Sequence, residues 1–336
     1  MWIRLVLIAP LVVAATLWAS ATLWIDGPDS PLLSGLLSAG FAGSVIAIFT
    51  GLRPFRRSLL VFCGLFLVVL TWWFGQTPQN DHSWQPDVAK LPSAIIEGDQ
   101  VTIRNVRNFD YRSETDYTEH WEERTYDLSR LLGVDTFLSY WGPTLIAHTI
   151  MSWEFDDGQR LAISIETRKE QGESYSAVLG FFHQFELYYV VADERDLVGL
   201  RTHHRKEDVY LYHLRTGRDT ARALLLDYLQ EINRLTETPR WYNALTHNCT
   251  TSIRHHFQHI SAEKPFDWRL LANGRIDELA YSRGTIDTSL PFSELRRRSA
   301  ITAKAQAMPP GEDFSDWIRH DLPGGHEPVK SKEISK

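Results

Sequence analysis

The residues best suited to chemistry lie in the segment Trp241–Ile260, whose centre reads Asn-Cys-Thr-Thr at positions 248–251. The chain has two cysteines, and the other, Cys63, lies inside an apolar run near the N-terminus. Cys249 is therefore the one thiol of the polar part of the chain, where it has no cysteine to pair with. Such a thiol is either a small buried residue or a nucleophile, and its surroundings decide between the two.

The residues around Cys249 predict a helix that begins at the cysteine. Asn248 is a good N-cap, because its side-chain oxygen can accept a hydrogen bond from a backbone amide one turn later. Ile253, Phe257 and Ile260 then recur at helical spacing and form an apolar stripe. A cysteine in the first turn lies at the positive end of the helix dipole, which favours the thiolate and offers a backbone N–H to an oxyanion. These features favour a nucleophile.

A predicted hairpin supplies the groups that could activate the thiol. Residues 145–155 and 160–169 alternate in character on either side of Asp-Asp-Gly at 156–158, a strong turn signal. If the turn is centred on its second residue, His148 faces Glu166 across the two strands, where their side chains can touch.

A nucleophilic triad consists of three groups: a thiolate, an imidazole that shares its proton, and a polar group that orients the imidazole. The prediction gives these roles to Cys249, His148 and Glu166. The competing interpretations are an inert buried cysteine, a core histidine and an exposed glutamate that pairs with Arg168 or Lys169.

Three histidines on the same predicted helix, His255, His256 and His259, offer a metal site as an alternative. His255 and His259 are four residues apart, a spacing that suits two ligands on one helix face. A third ligand would have to come from elsewhere, and the chain has no His-Glu-x-x-His pattern. We therefore predict no metal and no cofactor, and interpret the three as solvated helix residues.

The N-terminal region is nearly free of charge and is predicted to span a membrane. Its three apolar runs, about 2–25, 31–52 and 58–75, are each close to the ~20 residues of one crossing. A cleaved signal peptide is the competing interpretation of the first run, but two similar runs follow it. The second connection has three arginines between 53 and 57, whereas the first has no basic residue. The positive-inside rule therefore predicts a cytoplasmic N-terminus in a bacterial inner membrane and a periplasmic remainder.

The patterns divide the chain into four parts: a transmembrane region at 1–76, a linker at 77–92, a periplasmic cysteine domain at 93–308 and a flexible tail at 309–336. Inside the domain we predict strands on both sides of Gly98-Asp99, a strand or short helix at 128–140, strands at 181–191 and 209–214, a helix at 220–235, an irregular surface segment from 107 to 126 and a loop at 193–196.

The charge of the polar part argues against nucleic acid as a partner. The chain carries a net charge of −7; residues 1–76 have four arginines against two aspartates, so the remainder carries −9. No basic face stands out among its residues, and nucleic-acid binding requires one.

The polar part resembles the bacterial family called the Lnb N-terminal periplasmic domain, over roughly residues 90–270. The resemblance rests on four motifs, of which the last is the most specific: Arg107-Asn-Phe-Asp-Tyr111, Ala147-His148, Ser164-Ile-Glu166-x-Arg168 and Tyr242-Asn-x-x-x-x-Asn248-Cys249-Thr250-Thr251.

That family is similar to circularly permuted NlpC-type papain-like enzymes, in which the histidine precedes the cysteine in the chain. The fold class that we expect is α+β, a papain-like (permuted NlpC-type) soluble domain preceded by three transmembrane helices. The founding member of the family is a lipoprotein N-acyltransferase, in which the membrane helices follow the domain. The related lecithin:retinol acyltransferase takes an acyl group from a phospholipid onto the cysteine of an Asn-Cys pair.

The resemblance implies Cys249 as nucleophile, His148 as base and then acid, and Glu166 as orienting group. We further expect Asn248, Thr250 and Tyr242 at the oxyanion or in positioning, and Arg107, Tyr111 and Arg168 in substrate binding.

The expected function is that of a membrane-anchored periplasmic thiol acyltransferase or hydrolase that acts through a cysteine thioester. Its expected partners are the membrane and a membrane lipid or lipoprotein, with lipoprotein N-acylation from a phospholipid donor as the specific reaction. Two alternatives remain open at this point. One is a periplasmic cysteine peptidase or amidase that acts on cell-wall peptides, and the other is a non-enzymatic, membrane-tethered binding module.

Overall fold

The computed structural model describes residues 2–142, 144–260, 267–270 and 273–326, with side chains from Ile8 onward. The described chain forms two compact units. The first unit consists of the chain up to Asp81 with two later excursions, 174–186 and 240–244; the second consists of 82–173, 187–239 and the chain from Leu245.

Three long apolar helices make up most of the first unit: α1 (Trp2–Ile25), α2 (Pro31–Gly51) and α3 (Phe55–Phe74). Each is long and apolar enough to cross a membrane. Phe41 and Phe62 belong to a buried seam between the helices, whereas most of their large apolar side chains point outward, as helices that face lipid require. The three apolar helices predicted from the sequence are confirmed.

An aromatic and polar cluster joins the two excursions to the ends of these helices. The imidazole of His183 stacks between Trp73, at a ring distance of 3.9 Å, and Trp241, at 4.8 Å. Asp26 accepts hydrogen bonds from the Trp73 indole at 2.7 Å and the His183 amide at 3.1 Å. Burial raises the pKa of Asp26 to about 6 in spite of these donors.

The second unit is built on a β-sheet. The described strands are β1 (Ser93–Glu97), β2 (Gln100–Arg107), β3 (Asp110–Tyr111), β4 (Tyr117–Thr118), β5 (Trp121–Asp127), β6 (Leu131–Tyr140), β7 (His148–Phe155), β8 (Arg160–Arg168), β9 (Glu186–Ala192) and β10 (Asp208–His213). Among the described residues, eight strands form one sheet in the order β1-β2-β9-β8-β7-β6-β10, with β5 beside β2. In it, β6 is antiparallel to both β7 and β10.

The helices of the second unit follow the strands in the chain. They are α4 (Glu194–Gly199), which continues into a π-helical turn (Leu200–His204), α5 (Arg218–Glu237), α6 (Cys249–Ile260), α7 (Ile276–Ser282), α8 (Phe292–Ser299), α9 (Thr302–Gln306) and α10 (Phe314–Arg319). Together with the sheet they form the mixed α+β fold expected from the sequence.

The two faces of the sheet are covered by different helices, because alternate residues of a strand point to opposite faces. On one face, Phe137 and Ile150 join a core to which Leu197 of α4, Ile301 and Ile318 of α10 contribute. On the other face, Trp153 donates to the carbonyl of Ala221 in α5. Helix α6 packs against α5 and against strands β7 and β8.

The segment 107–126, predicted to be an irregular surface, is largely β-structure, so that prediction is wrong. It contains β3, β4 and β5, and β5 pairs with β2 so that Tyr126 opposes Val101. The charged residues of β5 hid its strand pattern, because one of its faces is exposed; Glu123 there pairs with Arg104.

The predicted loop at 193–196 is the start of helix α4. Asp193 caps this helix by accepting from the amide of Arg195. Four consecutive charges indicated a loop, but Glu194 and Asp196 are buried and paired with arginines. Tertiary ion pairs thus override the local pattern.

The regions predicted to be a linker and a tail contain buried residues. In the linker, Trp84 and Val88 are buried, and Trp84 forms a β-bridge with Glu170. The segment from Pro309 contains α10, whose Ile318 is buried. The part of the predicted tail from residue 327 onward lies outside the described residues.

Candidate active site

The β7–β8 hairpin has the register that its turn predicts. Ile150 pairs with Ser164 and Met151 with Ile163, and the same register sets His148 opposite Glu166. His148 is the first residue of β7, and its Nε2 lies 3.0 Å from Oε1 of Glu166. The predicted cross-strand contact is therefore present.

Helix α6 begins at Cys249, with the predicted cap. Oδ1 of Asn248 accepts from the amide of Thr251 at 2.9 Å, and the hydroxyl of Thr251 accepts from the amide of Asn248 at 2.9 Å. This reciprocal pair stabilises the first turn, and the cysteine lies at the positive end of the helix dipole.

The structure brings the thiol and the imidazole together. The side chains of Cys249 and His148 share a hydrogen bond, and the amide of Thr149 donates to the same sulfur. Cys249 is half-buried, whereas His148 is 8% exposed. The cysteine residue is thus partly exposed, while the imidazole is shielded from water.

The electrostatics of this pair favour a thiolate beside an imidazolium. Burial opposes charge on both groups, but the hydrogen bond and charge of His148 outweigh it and lower the pKa of Cys249. For His148, burial lowers the pKa and the charge of Glu166 raises it, with a net pKa of about 9. The pKa of Glu166 itself is held well below its ordinary value, because the neighbouring cations outweigh its burial.

Two residues that the sequence analysis did not single out hold the glutamate. The hydroxyl of Ser164 lies 2.6 Å from Nε2 of His148 and donates to Oε1 of Glu166 at 2.7 Å. Arg201 donates to the same oxygen at 2.9 Å. Ser164 stands inside the Ser-Ile-Glu motif, so its signal was present in the sequence.

Arg201 extends the network away from the thiol. It lies on the π-helical turn, is 4% exposed and also donates to Glu207 at 3.0 Å. Glu207 in turn accepts from Ser139 of β6. Because this guanidinium is buried between two carboxylates, it fixes the position of Glu166. No local pattern marked Arg201, since it acts across 35 residues of sequence.

Asn273 joins the strand of the histidine to the helix of the cysteine. Its amide accepts from the Ala147 amide at 2.9 Å and donates to the Ala147 carbonyl at 2.6 Å and the Thr250 hydroxyl at 2.5 Å. Ala147 precedes His148, and Thr250 follows Cys249. A Cβ at the next residue, Gly274, would lie 2.1 Å from the carbonyl oxygen of Thr144, so only glycine permits this approach. The sequence analysis missed both residues, although Asn-Gly is a turn signal.

The predicted positioning residues lie in different places. Asn248 and Thr250 flank Cys249 in the first turn of α6, and the Thr250 hydroxyl is 3.9 Å from the sulfur. Tyr242 belongs to the first unit, where it is buried and its amide donates to the carbonyl of Phe185. The structure therefore groups two of the three with the cysteine in the second unit.

The arginines predicted to bind substrate are buried and form contacts with other residues of the chain. Arg107 is buried and donates to Asp196 at 2.7 Å. Arg168 is buried, lies 4.1 Å above the ring of Trp84 and donates to the Val88 carbonyl.

The third residue predicted to bind substrate, Tyr111, is half-buried in an aromatic cluster with Phe109 and Tyr117. The contacts of all three residues tie chain segments together within the fold.

The three helix histidines differ from one another. His256 is buried, with Nδ1 2.6 Å from Asp227 and Nε2 2.8 Å from the Tyr189 hydroxyl, so it is a core residue and the prediction that it is solvated is wrong. The rings of His255 and His259 lie 4.1 Å apart on the exposed side of the helix.

An apolar cavity of about 450 Å³ lies beside the cysteine helix. Its lining includes Thr149 and Thr250, the chain neighbours of His148 and Cys249. Apolar side chains from the sheet and the helices supply most of the wall, among them Leu138, Met151, Ile253, Phe257, Leu270 and Leu279. A cavity of this lining favours an alkyl group over a polar one.

Residues 117–274 match the family model described as the Lnb N-terminal periplasmic domain. This segment is similar to that family. The match contains the cysteine, the histidine, the glutamate and Asn273, and the three apolar helices precede it. Comparisons with curated proteins and with solved structures found no match. The chain thus combines three helices that are long and apolar enough to span a membrane with a segment that matches the Lnb N-terminal periplasmic domain.

Proposed function

We propose that this Lnb N-terminal periplasmic domain is a thiol acyltransferase that carries the acyl group as a thioester on Cys249. The observation that supports the proposal most is the half-buried thiol at the capped start of α6, hydrogen-bonded to His148, which is in turn held by Glu166. A thiolate, an imidazole and an orienting carboxylate in this order are the parts that acyl transfer requires.

In the proposed reaction, the sulfur of Cys249 attacks the carbonyl carbon of an acyl ester. The C–S bond forms, the ester C–O bond breaks, and the proton of His148 passes to the leaving alcohol oxygen. An acceptor amine then attacks the thioester, gives its proton to His148 and releases the thiolate. Backbone amides in the first turn of α6 would stabilise the oxyanion in both steps.

The apolar cavity supports the proposal that the acyl donor carries a long alkyl chain. Its volume of about 450 Å³ and its apolar wall suit a fatty acyl chain, and its Thr149 and Thr250 edge adjoins the reacting groups. The three apolar helices support a donor and an acceptor in a membrane. The substrates that we propose are therefore a phospholipid and the amine of a lipoprotein, on the periplasmic side of a bacterial inner membrane with the N-terminus in the cytoplasm.

The proposal is tested by trapping the thioester. Full-length protein in detergent is incubated with a phospholipid that carries an isotopically labelled acyl chain, and its intact mass is measured before and after hydroxylamine. We expect one labelled acyl group on Cys249, which hydroxylamine removes. The variant Cys63→Ala, the matched control for the other thiol, should acquire the same acyl group. No acyl group on Cys249 with any lipid donor, together with cleavage of cell-wall peptides, would replace this function with the peptidase alternative.

The acyl-chain assignment has a test of its own. Ile253 lines the cavity, whereas His255 lies on the exposed side of the same helix. We expect Ile253→Trp to raise the KM for long-chain esters with little change for acetyl esters, and His255→Trp to change neither. An equal loss for both chain lengths in Ile253→Trp would show that the cavity does not hold the chain.

A further inference from the structure

A second histidine–carboxylate cluster lies in the second unit, away from the cysteine. Asp135 of β6, Glu154 of β7, His213 of β10 and His326 of the C-terminal segment each offer one nitrogen or carboxylate oxygen, and these four atoms lie within 4.8 Å of one another. None of these residues belongs to the proposed acyl-transfer machinery.

Three neighbouring strands place the first three residues of this cluster. His213 pairs with Asp135 across β10 and β6. Asp135 pairs with Ser152 of β7, so Glu154, two residues further along β7, extends from the same face. Nδ1 of His213 lies 2.7 Å from Oδ1 of Asp135. The sheet register therefore aims an imidazole and two carboxylates at one place.

The chain after α10 supplies the fourth residue through a close approach that only glycine permits. Nε2 of His326 lies 2.8 Å from the same Oδ1 of Asp135, and the ring rests against Gly133. A Cβ at Gly133 would lie 2.3 Å from Nδ1 of His326. The side chain of His326 is 7% exposed, so this imidazole is inserted into the fold.

Two arginines hold the outer oxygens of the carboxylates. Arg319 donates to Oδ2 of Asp135 at 2.7 Å, and Arg160 donates to Oε1 of Glu154 at 2.7 Å. These contacts leave Oδ1 of Asp135 to the two imidazoles. Such outer contacts orient metal-binding carboxylates in known sites.

From this geometry we infer that Asp135, Glu154, His213 and His326 bind a structural zinc ion. Two imidazoles and two carboxylates suit zinc, whereas calcium and magnesium prefer oxygen alone. Tetrahedral zinc with bonds of about 2.1 Å separates its ligand atoms by about 3.4 Å. The two imidazole nitrogens lie 2.7 and 2.8 Å from Oδ1 of Asp135, and the four atoms lie within 4.8 Å of one another, so small side-chain movements would bring them to this spacing. Four protein ligands close the coordination shell, so the ion would fix the C-terminal segment to the sheet and take no part in catalysis.

The inference is tested on the full-length protein in detergent, without a polyhistidine tag or chelator. Bound zinc is measured by mass spectrometry after equilibrium dialysis against zinc alone. We expect one zinc per chain in the wild type, and its loss in His213→Asn and in His326→Asn. The matched control replaces the exposed pair, His255→Asn with His259→Asn, and keeps the zinc. A wild type without zinc, or a control that loses it, overturns the inference.

A second measurement guards against variants that fail to fold. Cobalt in place of zinc in the wild type should give the absorption of a tetrahedral site with nitrogen and oxygen ligands. Intense sulfur-to-cobalt charge transfer would place the metal at Cys249 and contradict the inference. Alkylation of Cys249 at the wild-type rate in His326→Asn would show that this variant is folded, because the thiol depends on His148, which lies at the other end of β7 from Glu154.

Discussion

Strand β7 contributes to a histidine–carboxylate cluster at each of its ends, and the two clusters differ in what their imidazoles contact. His148 begins β7 and Glu154 lies near its end, so the clusters are separated by about 20 Å at ~3.3 Å per residue. Phe137 and Ile150 fill the sheet face between them. At the His148 end the imidazole contacts the thiol of a half-buried cysteine, and at the Glu154 end the two imidazoles contact the carboxylate of Asp135.

The two ends of this sheet face would suit different roles. A catalytic imidazole needs one partner that holds it and one reacting group that it serves, and His148 has Glu166 and Cys249 in these positions. His213 and His326 instead share a single carboxylate oxygen of Asp135. An arginine stabilises each end: Arg201 holds Glu166, and Arg319 holds Asp135.

The largest effect on the rate of thioester formation is expected from substitutions at the thiol end of β7. We expect Cys249→Ala to abolish thioester formation, and His148→Ala to slow it by about 10²–10⁴-fold, the range of general acid–base catalysis. His213→Asn, at the other end, should leave the rate within about twofold. The rates are measured by intact mass with a labelled donor. An unchanged rate in His148→Ala would remove this histidine from the mechanism.

Zinc should raise the stability of the folded protein and leave the rate of Cys249 alkylation unchanged. A ligand that binds only the folded state at 100 times its Kd stabilises that state by about 2.7 kcal/mol. We therefore expect zinc to raise the Tm of the wild type and not that of His326→Asn, with the Cys249 alkylation rate constant throughout. The Tm is read in detergent with and without zinc. An equal rise in both proteins would place the stabilising ion elsewhere.

Asn273→Ala should weaken the link between the two elements of the active site. It removes the partners of a buried amide and carbonyl at Ala147, each of which costs about 1–3 kcal/mol when left unsatisfied. We expect a lower Tm together with slower alkylation of Cys249. A lower Tm with unchanged alkylation would show that Asn273 supports the fold without positioning the pair.

The smallest effect is expected from Glu166→Gln. The charge of Glu166 raises the pKa of His148, so its removal should lower that pKa. The upper limb of the pH–rate profile of thioester formation should shift to lower pH. A profile identical to that of the wild type would show that Glu166 does not set the protonation of His148.

Local signals in the sequence predicted the parts of the site that local structure controls. The turn at Asp157 set the register that joins His148 and Glu166, and Asn248 set the start of α6, because hairpin register and helix capping depend on neighbouring residues. Arg201 and Asn273 act across 35 and 126 residues of sequence, and no local pattern encodes such contacts.

The same reason explains the cluster at the Glu154 end. His213 and His326 contact Asp135 across 78 and 191 residues of sequence, so the arrangement appears only once three strands and the C-terminal segment are assembled. A run of charged residues led to a wrong prediction at 193–196 for a related reason. Asp196 indicated a loop, although it is buried against Arg107 in the fold.

The central claim is that Cys249 and His148 form a thiolate–imidazolium pair. The most direct measurement is the rate of Cys249 alkylation against pH, in the Cys63→Ala background and in the same background with His148→Ala. The pKa of Cys249 is lowered by His148, so the thiolate should persist well below its ordinary range. The imidazolium should lose its proton near pH 9, which would give a second inflection there.

The account predicts that alkylation begins at low pH in the parent and moves to the range of a free thiol, near a pKa of ~8.5, when His148 is replaced. A single inflection near that value in both proteins would contradict the pair and leave Cys249 as an inert thiol in a membrane-tethered domain.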